Sequence, residues 1–389
     1  MSSGLPARLL RRREVSRRAS FLELFFDLAF ILALNRLSQA LEDDLSVDGA
    51  FRTALLLAAI WWVWFVTAWS TDWFEPRTPL ITALLLWVMF GGMLMAAAAP
   101  TAYAGHALVF AGAYVAIHLG RAALLLPALR GHPLQLRTLR VAIWFAVSGV
   151  LWLVGAFVGP AQVVLWTAAV VLDYSMARLR WPTPALGRSS WENLQIIGEH
   201  LSERYQKIFI IALGELILTA GITYSERGFD LGRSLAFALM FINAVSLGRL
   251  YLVPGGMRLG AAIEALGPPG SKLGLLAGYL HLVMIAGVVA TGVGSRLMIM
   301  EPFSHDRVAL VTMVAGPALF LSGWILFALA VHRRISWHRL IGMLAVVVAA
   351  VAGRDQSLLV NSAIITGLLI LIAHSDTLAS RARPARRLP

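Results

Sequence analysis

Cysteine is absent from the 389 residues. That excludes disulfides, thiolate nucleophiles, thiolate-ligated iron–sulfur clusters and cysteine zinc sites. Charge is scarce as well: Asp, Glu, Lys and Arg make up 14% of the chain, with 21 acids against 33 bases. No Walker loop, dinucleotide fingerprint, GxSxG elbow or kinase motif occurs, and the histidines lack the close spacing of an HExxH zinc site. The sequence therefore offers no cofactor, no metal and no enzyme chemistry of a familiar kind. What it has instead is apolar residues, 59% of the total, with a mean hydropathy of +0.75. These values belong to a membrane protein.

Apolar runs of roughly 17 to 25 residues, enough to cross about 30 Å of hydrocarbon, recur along the chain. The runs predict an all-α polytopic membrane protein with twelve spans. They lie near 21–41, 52–70, 80–99, 103–126, 141–159, 161–180, 207–224, 232–253, 273–297, 308–332, 337–353 and 357–374. With both termini cytoplasmic, 24 Lys and Arg fall inside and 6 outside; Arg36, Arg121 and Arg249 stand within spans. This asymmetry obeys the positive-inside rule. The net charge of +12 is thus a topology signal and gives no reason to expect nucleic acid.

Organisation follows from the same pattern. An Arg-rich cytoplasmic tail, 1–19, precedes a first six-helix half, 20–180; a cytoplasmic linker, 181–206, leads to a second half, 207–375, and a basic tail, 376–389. An even number of spans per half makes the halves parallel, and an offset of 180 lays "ELFFDLAFILALN" over "ERYQKIFIIALGE" with few identities. The N-terminal "SRRASFL" has the look of an export signal, yet the segment after it carries two acids and no small-residue cleavage pattern, so it reads as a retained first span.

Ionised groups inside a span cost on the order of 3 kcal/mol or more unless paired, hydrated or neutralised, so each one points to a reason. Glu23 and Asp27 share a helix face in "LELFFDLAFI". They either pair with Arg17 or Arg18 at the helix start or form a proton or cation site. "EHLSERYQKIFIIALGELIL" sets His200, Glu203, Arg204 and Lys207 at the approach to span seven, with Glu215 deeper. Eleven residues separate Glu215 from Arg204, too far for direct pairing, so its partner must come from another helix unless the acid is protonated. Gly214 beside it would admit a neighbouring backbone.

Tyr114, His118 and Arg121 follow helical spacing, and Asp173 is the carboxylate expected to neutralise Arg121. Arg249 and His281 also fall in the cytoplasmic half of their spans. The second span, "AAIWWVWFVTAWSTDW", ends near Asp72; its central Trp61, Trp62 and Trp64 are either core packing or an aromatic wall. "GVVATGVGS" and the pair Gly91 and Gly92 are surfaces for close helix contact.

Taken with Tyr279 and His281, these two signatures and the Trp-rich span resemble the bacterial low temperature requirement protein A family, from about residue 20 to 375. The resemblance implies a multispan inner-membrane protein of bacteria, named for a growth requirement in the cold. It supplies no substrate. Where that family commonly carries a small residue after LGE, this chain has Leu216, so a hydroxyl at that point has no counterpart here.

The leading expectation is a secondary transporter or a proton or cation pathway serving an unidentified small solute or ion. Glu215 would be its deep site and Glu23, Asp27, His200 and Glu203 its mouth, supported by Asp72, His118, Arg121, Asp173, Arg204, Lys207, Arg249 and His281. The rival is a structural or lipid-interacting protein whose ion pairs hold the bundle while Arg-rich loops bind anionic lipid at the cytoplasmic face. Third comes a membrane-embedded enzyme acting on lipid with the same acids and His118 or His281.

Overall fold

The computed structural model describes residues 8–11, 19–191, 196–252, 256–333 and 335–381, and every regular element among them is a helix. Helix α1 is Phe21–Asp43, α2 Val47–Trp73, α3 Pro79–Ala98, α4 Ala107–Ala128, α5 Pro133–Phe157 and α6 Gln162–Arg178. The second group is α7 Gly198–Arg227, α8 Leu231–Leu252, α9 Gly256–Leu266, α10 Gly270–Met300, α11 Arg307–His332, α12 Trp337–Ala352 and α13 Leu358–Arg381.

Local sequence sets the starts. Ser20 and Glu23 form a reciprocal capping box at α1, and Ser46 caps α2 by accepting from Gly49 N. Pro79 and Pro133 occupy the first turns of α3 and α5, where no amide partner is lost.

Nine helices among the described residues are long and apolar enough to cross a membrane: α2 to α5, α7, α8, α10, α11 and α13. This makes the chain a membrane protein. Each of the twelve expected spans coincides with a helix, but three fall outside the nine. Helices α6 and α12 have only 17 and 16 residues, and α1 carries Glu23, Asp27, Arg36, Glu42 and Asp43.

Helix α7 also begins at Gly198, ahead of the expected 207, because nothing between Gly198 and Gly214 breaks a helix. His200, Glu203 and Arg204 are therefore helical rather than linker residues. The amphipathic α9 falls where a loop was expected.

The chain divides into two compact units, one of residues 1–207 with 259–276, the other of 208–258 with 277–389. In the first, α2 packs against α1, α3, α4 and α6. Burial follows: Leu55 to Leu57 and Ala59 to Phe65 are nearly inaccessible. Most of that stretch is Trp, Leu and Ile, so α2 supplies the apolar core around which the others stand. Trp62 stacks on Tyr174 of α6 with centroids 4.3 Å apart.

In the second unit α8 packs on α13, and α12 on α11 and α13. Small residues bring α10 and α11 together as expected. A Cβ at Gly287 would stand 2.5 Å from Phe320 N, and one at Gly294 would stand 2.5 Å from Met313 Cα. Gly214 is different: it is exposed, and a Cβ there would meet nothing within 4 Å. Among the described residues no neighbouring backbone approaches that glycine.

Candidate functional site

Three helix ends of the first unit meet at one point. The first two turns of α1 bring Glu23 and Asp27, the last turn of α2 brings Asp72, and the first turns of α7 bring His200 and Arg204. Arg11 completes the group. The segment around it pairs with the residues after α2, Arg11 N donating to Trp73 O at 3.0 Å and Glu75 N to Leu9 O at 2.8 Å. Glu23, Asp27, His200 and Arg204 are fully inaccessible, Asp72 is 2% exposed and Arg11 6%. The partners suggested by the sequence, Arg17 and Arg18, lie outside the described residues.

Charge in such a place is tolerated only when paired and hydrogen-bonded. Arg204 Nη2 donates to Asp27 Oδ1 at 2.7 Å, as does Trp64 Nε1 at the same distance. Arg204 Nη1 stands 3.9 Å from Glu23 Oε1. Arg11 Nη1 donates to Thr71 O at 2.8 Å and is 3.5 Å from Glu23 Oε1. Asp72 Oδ2 accepts from Ile197 N at 2.7 Å, tying the segment before α7 to α2. Among the described residues three carboxylates face two guanidiniums and one imidazole, a set that is electrically balanced when the imidazole is protonated.

The ring of His200 is the ambiguous member. Nδ1 is 3.0 Å from Asp72 Oδ1 and Nε2 is 2.8 Å from Glu23 Oε1. Two carboxylate oxygens on opposite nitrogens ask for two N–H donors, which only an imidazolium has. Yet Nε2 is also 2.8 Å from Arg11 Nη1, a permanent donor that asks for a lone pair there. A single nitrogen cannot meet both demands at once. The two demands correspond to hydrogen-bond arrangements that differ by one proton, while Asp27 Oδ2 has no hydrogen-bond partner among the described residues.

Glu203 lies at the edge of this cluster. It pairs with Lys207 one turn on at 2.7 Å and accepts from Ala19 N at 2.9 Å, and both side chains are partly exposed.

A second polar set in the first unit departs from expectation. Arg121 does not pair with Asp173. Its Nη2 donates to Thr67 Oγ1 at 2.6 Å, while Asp173 Oδ2 accepts from Tyr114 hydroxyl at 2.5 Å. Each takes a neutral neighbour instead, and a phenol satisfies a buried carboxyl without a second charge. His118 stacks on Phe145 with centroids 3.7 Å apart, and neither ring nitrogen has a hydrogen-bond partner among the described residues.

The remaining candidates belong to the second unit. Glu215 is 1% exposed, and a Cβ at Gly292 of α10 would lie 4.0 Å from its Oε2. His281 Nε2 faces Tyr251 hydroxyl at 2.8 Å and its Nδ1 faces Ala277 O at 2.7 Å, a core arrangement. Arg249 is exposed and donates to Thr377 Oγ1 at 3.2 Å. Among the described residues no group of three or more His, Cys, Asp or Glu is placed to hold a metal.

Sequence reasoning missed Arg11 and the indole of Trp64. The first sits in an Arg-rich tail that resembles a topology signal, and the second in a run of tryptophans with no mark separating a hydrogen-bond donor from packing. Asp72 at the end of α2 was the available clue, being a lone acid one turn from an aromatic stripe.

A profile described as Bacterial low temperature requirement A protein (LtrA) matches residues 18–374. The chain belongs to this family. A relative from Rhizobium meliloti (strain 1021), described as Uncharacterized protein RA0937, is 36% identical over 311 residues, which cover 79% of this chain and 76% of that one. No solved structure matches. The two LtrA signatures named above, "ELFFDL" and "ER" followed by "LGE", contribute Glu23, Asp27 and Arg204 to the cluster and Glu215 to the second unit. Leu216 is fully buried, so the departure from a small residue places an apolar side chain inside the protein.

Proposed function

We propose that this LtrA-family membrane protein conducts or exchanges protons, as a proton-coupled secondary transporter or a proton pathway, with His200 as the exchanging group. The observation that carries the reading is the pair of competing demands on His200 Nε2 from Glu23 and Arg11. A histidine whose two protonation states are both hydrogen-bonded takes up and releases a proton with little rearrangement.

The three acids around His200 supply the charge that a passing cation would meet, and Glu215 offers a further intramembrane carboxyl. The topology belongs to the same proposal: the bacterial inner membrane, both termini in the cytoplasm, and α1, α6 and α12 counted with the nine to give twelve spans. The six-fold division into parallel halves, 20–180 and 207–375, rests on that count.

Full burial of the cluster favours a second reading. Groups with no exposure also serve as a clamp that fixes three helix ends, and the capping box at Ser20 and Glu23 is a structural use of the same acid.

Purified protein in liposomes under an imposed pH or potassium gradient separates the two. Wild type is compared with His200→Gln and Glu215→Gln for flux, and each is melted in detergent. Loss of proton flux in His200→Gln with an unchanged melting temperature supports the exchange site. Equal flux in wild type and variant, or a lowered melting temperature with no flux in any sample, supports the clamp.

A further inference from the structure

The first unit contains an open cleft of about 90 Å³ walled by the last turns of α2, by α4 and α5, and by the segment after α6. Indoles wall it, Trp62, Trp69, Trp73 and Trp181 among them, and two cations line it, Arg121 and Arg137.

Arg121 is the decisive residue. It is 6% exposed, its Nη2 is held by Thr67, and its Nε and Nη1 have no hydrogen-bond partner among the described residues. A buried guanidinium with two idle donors carries a desolvation penalty that the charge of an anion in the cleft would offset. The expected partner Asp173 is engaged by Tyr114 instead. Arg137 is held over the ring of Trp73, its Cζ 4.5 Å from the centroid, which fixes a second positive group on the same wall.

The backbone beside the cleft is strained. Arg180 and Trp181 have φ of 66° and 55°, a region that side chains other than glycine rarely enter. Trp181 N donating to Met176 O at 2.8 Å and Ser189 N to Arg180 O at 3.0 Å hold them there. The strain delivers the Trp181 ring to the cleft, where it stands 5.5 Å from Phe145.

We infer that this cleft binds an anionic amphiphile, a molecule whose carboxylate or phosphate reaches Arg121 and Arg137 while its apolar body lies against the tryptophans. The inference does not depend on proton exchange at His200. Two sources carry that chemistry, an acidic lipid of the surrounding bilayer and a water-soluble acid with an apolar tail.

The test uses bromine, which quenches indole fluorescence on contact. Full-length protein in micelles is titrated with 9,10-dibromostearate and with its uncharged methyl ester, and in nanodiscs with dibrominated phosphatidylglycerol against dibrominated phosphatidylcholine. Saturable quenching by the acid, weaker by about tenfold with the ester, is the expected result, one lost charge-assisted contact being a factor of that order. Arg121→Gln is expected to weaken it by a similar factor.

Should Arg121→Gln fail to fold, Arg137→Gln, at a half-buried position, takes its place with a smaller expected loss. An arginine-dependent response in nanodiscs identifies the bilayer lipid, and one confined to dibromostearate identifies the soluble acid. Quenching that rises linearly, equals that of the uncharged probes, or is indifferent to both arginines overturns the site.

Discussion

His200 Nδ1 lies 3.0 Å from Asp72 Oδ1, although 128 residues separate them in the chain. The contact joins the end of α2 to the start of α7 at the point where α1 also begins, and every charge there is compensated by another within the same unit.

Arg204 is the cation on which Asp27 depends. Arg204→Ala leaves a fully buried carboxylate facing only Trp64, and breaking a buried pair from one side costs about 3–5 kcal/mol. Detergent melting should show a large loss, and Arg204→Ala with Asp27→Asn together should recover part of it. Additive losses would mean that the pair is not coupled.

Trp64→Phe keeps the ring and removes the donor to Asp27 Oδ1. The expected cost is about 1–3 kcal/mol, the range for leaving a buried acceptor short of a bond. Denaturant titration of Trp64→Phe in the wild-type and Asp27→Asn backgrounds checks it. The cost should shrink when the carboxylate is absent.

Two glycines of the second unit should respond oppositely. Gly287→Ala drives a methyl into the backbone of Phe320 and Gly316, a clash worth about 1–3 kcal/mol of overpacking. Gly214→Ala meets nothing and gains up to about 1 kcal/mol from helix propensity. Melting temperatures of the two variants measure the contrast, and similar losses in both would contradict the packing.

Asp230 precedes α8 and accepts from Arg233 N at 2.9 Å; this bond, with the Arg233 guanidinium beside it, holds its carboxyl below the usual range. A depressed pKa means that its contribution is complete above the ordinary carboxylate value and is lost as pH falls through the lowered one. Hydrogen-exchange protection at the Arg233 amide should therefore be flat at neutral pH and fall in acid. Asp230→Asn should remove the acid dependence.

The helices were legible because hydrophobic run length is set by local composition, and α2, α3, α10 and α11 read as apolar segments of spanning length. The signatures carrying Glu23, Asp27 and Arg204 were legible too, since charge in an apolar run demands an explanation. What the sequence did not disclose was partner choice. Arg121 and Asp173 look like a pair on cost alone, but each takes a neutral neighbour instead, Thr67 and Tyr114. Arg11 was hidden for the opposite reason: in a tail of six bases nothing in the sequence marks it as one that turns inward.

The first unit is discontinuous in the chain, its last piece being residues 259–276. Within it a Cβ at Gly198 would lie 2.4 Å from Gly260 O, so the turn that carries His200 is seated against this late piece. A ribosome must therefore deliver two further helical stretches, the rest of α7 and all of α8, before the seat exists. Until then the acids of α1 and α2 lack their final enclosure, which makes the order of synthesis part of how the charged centre is assembled.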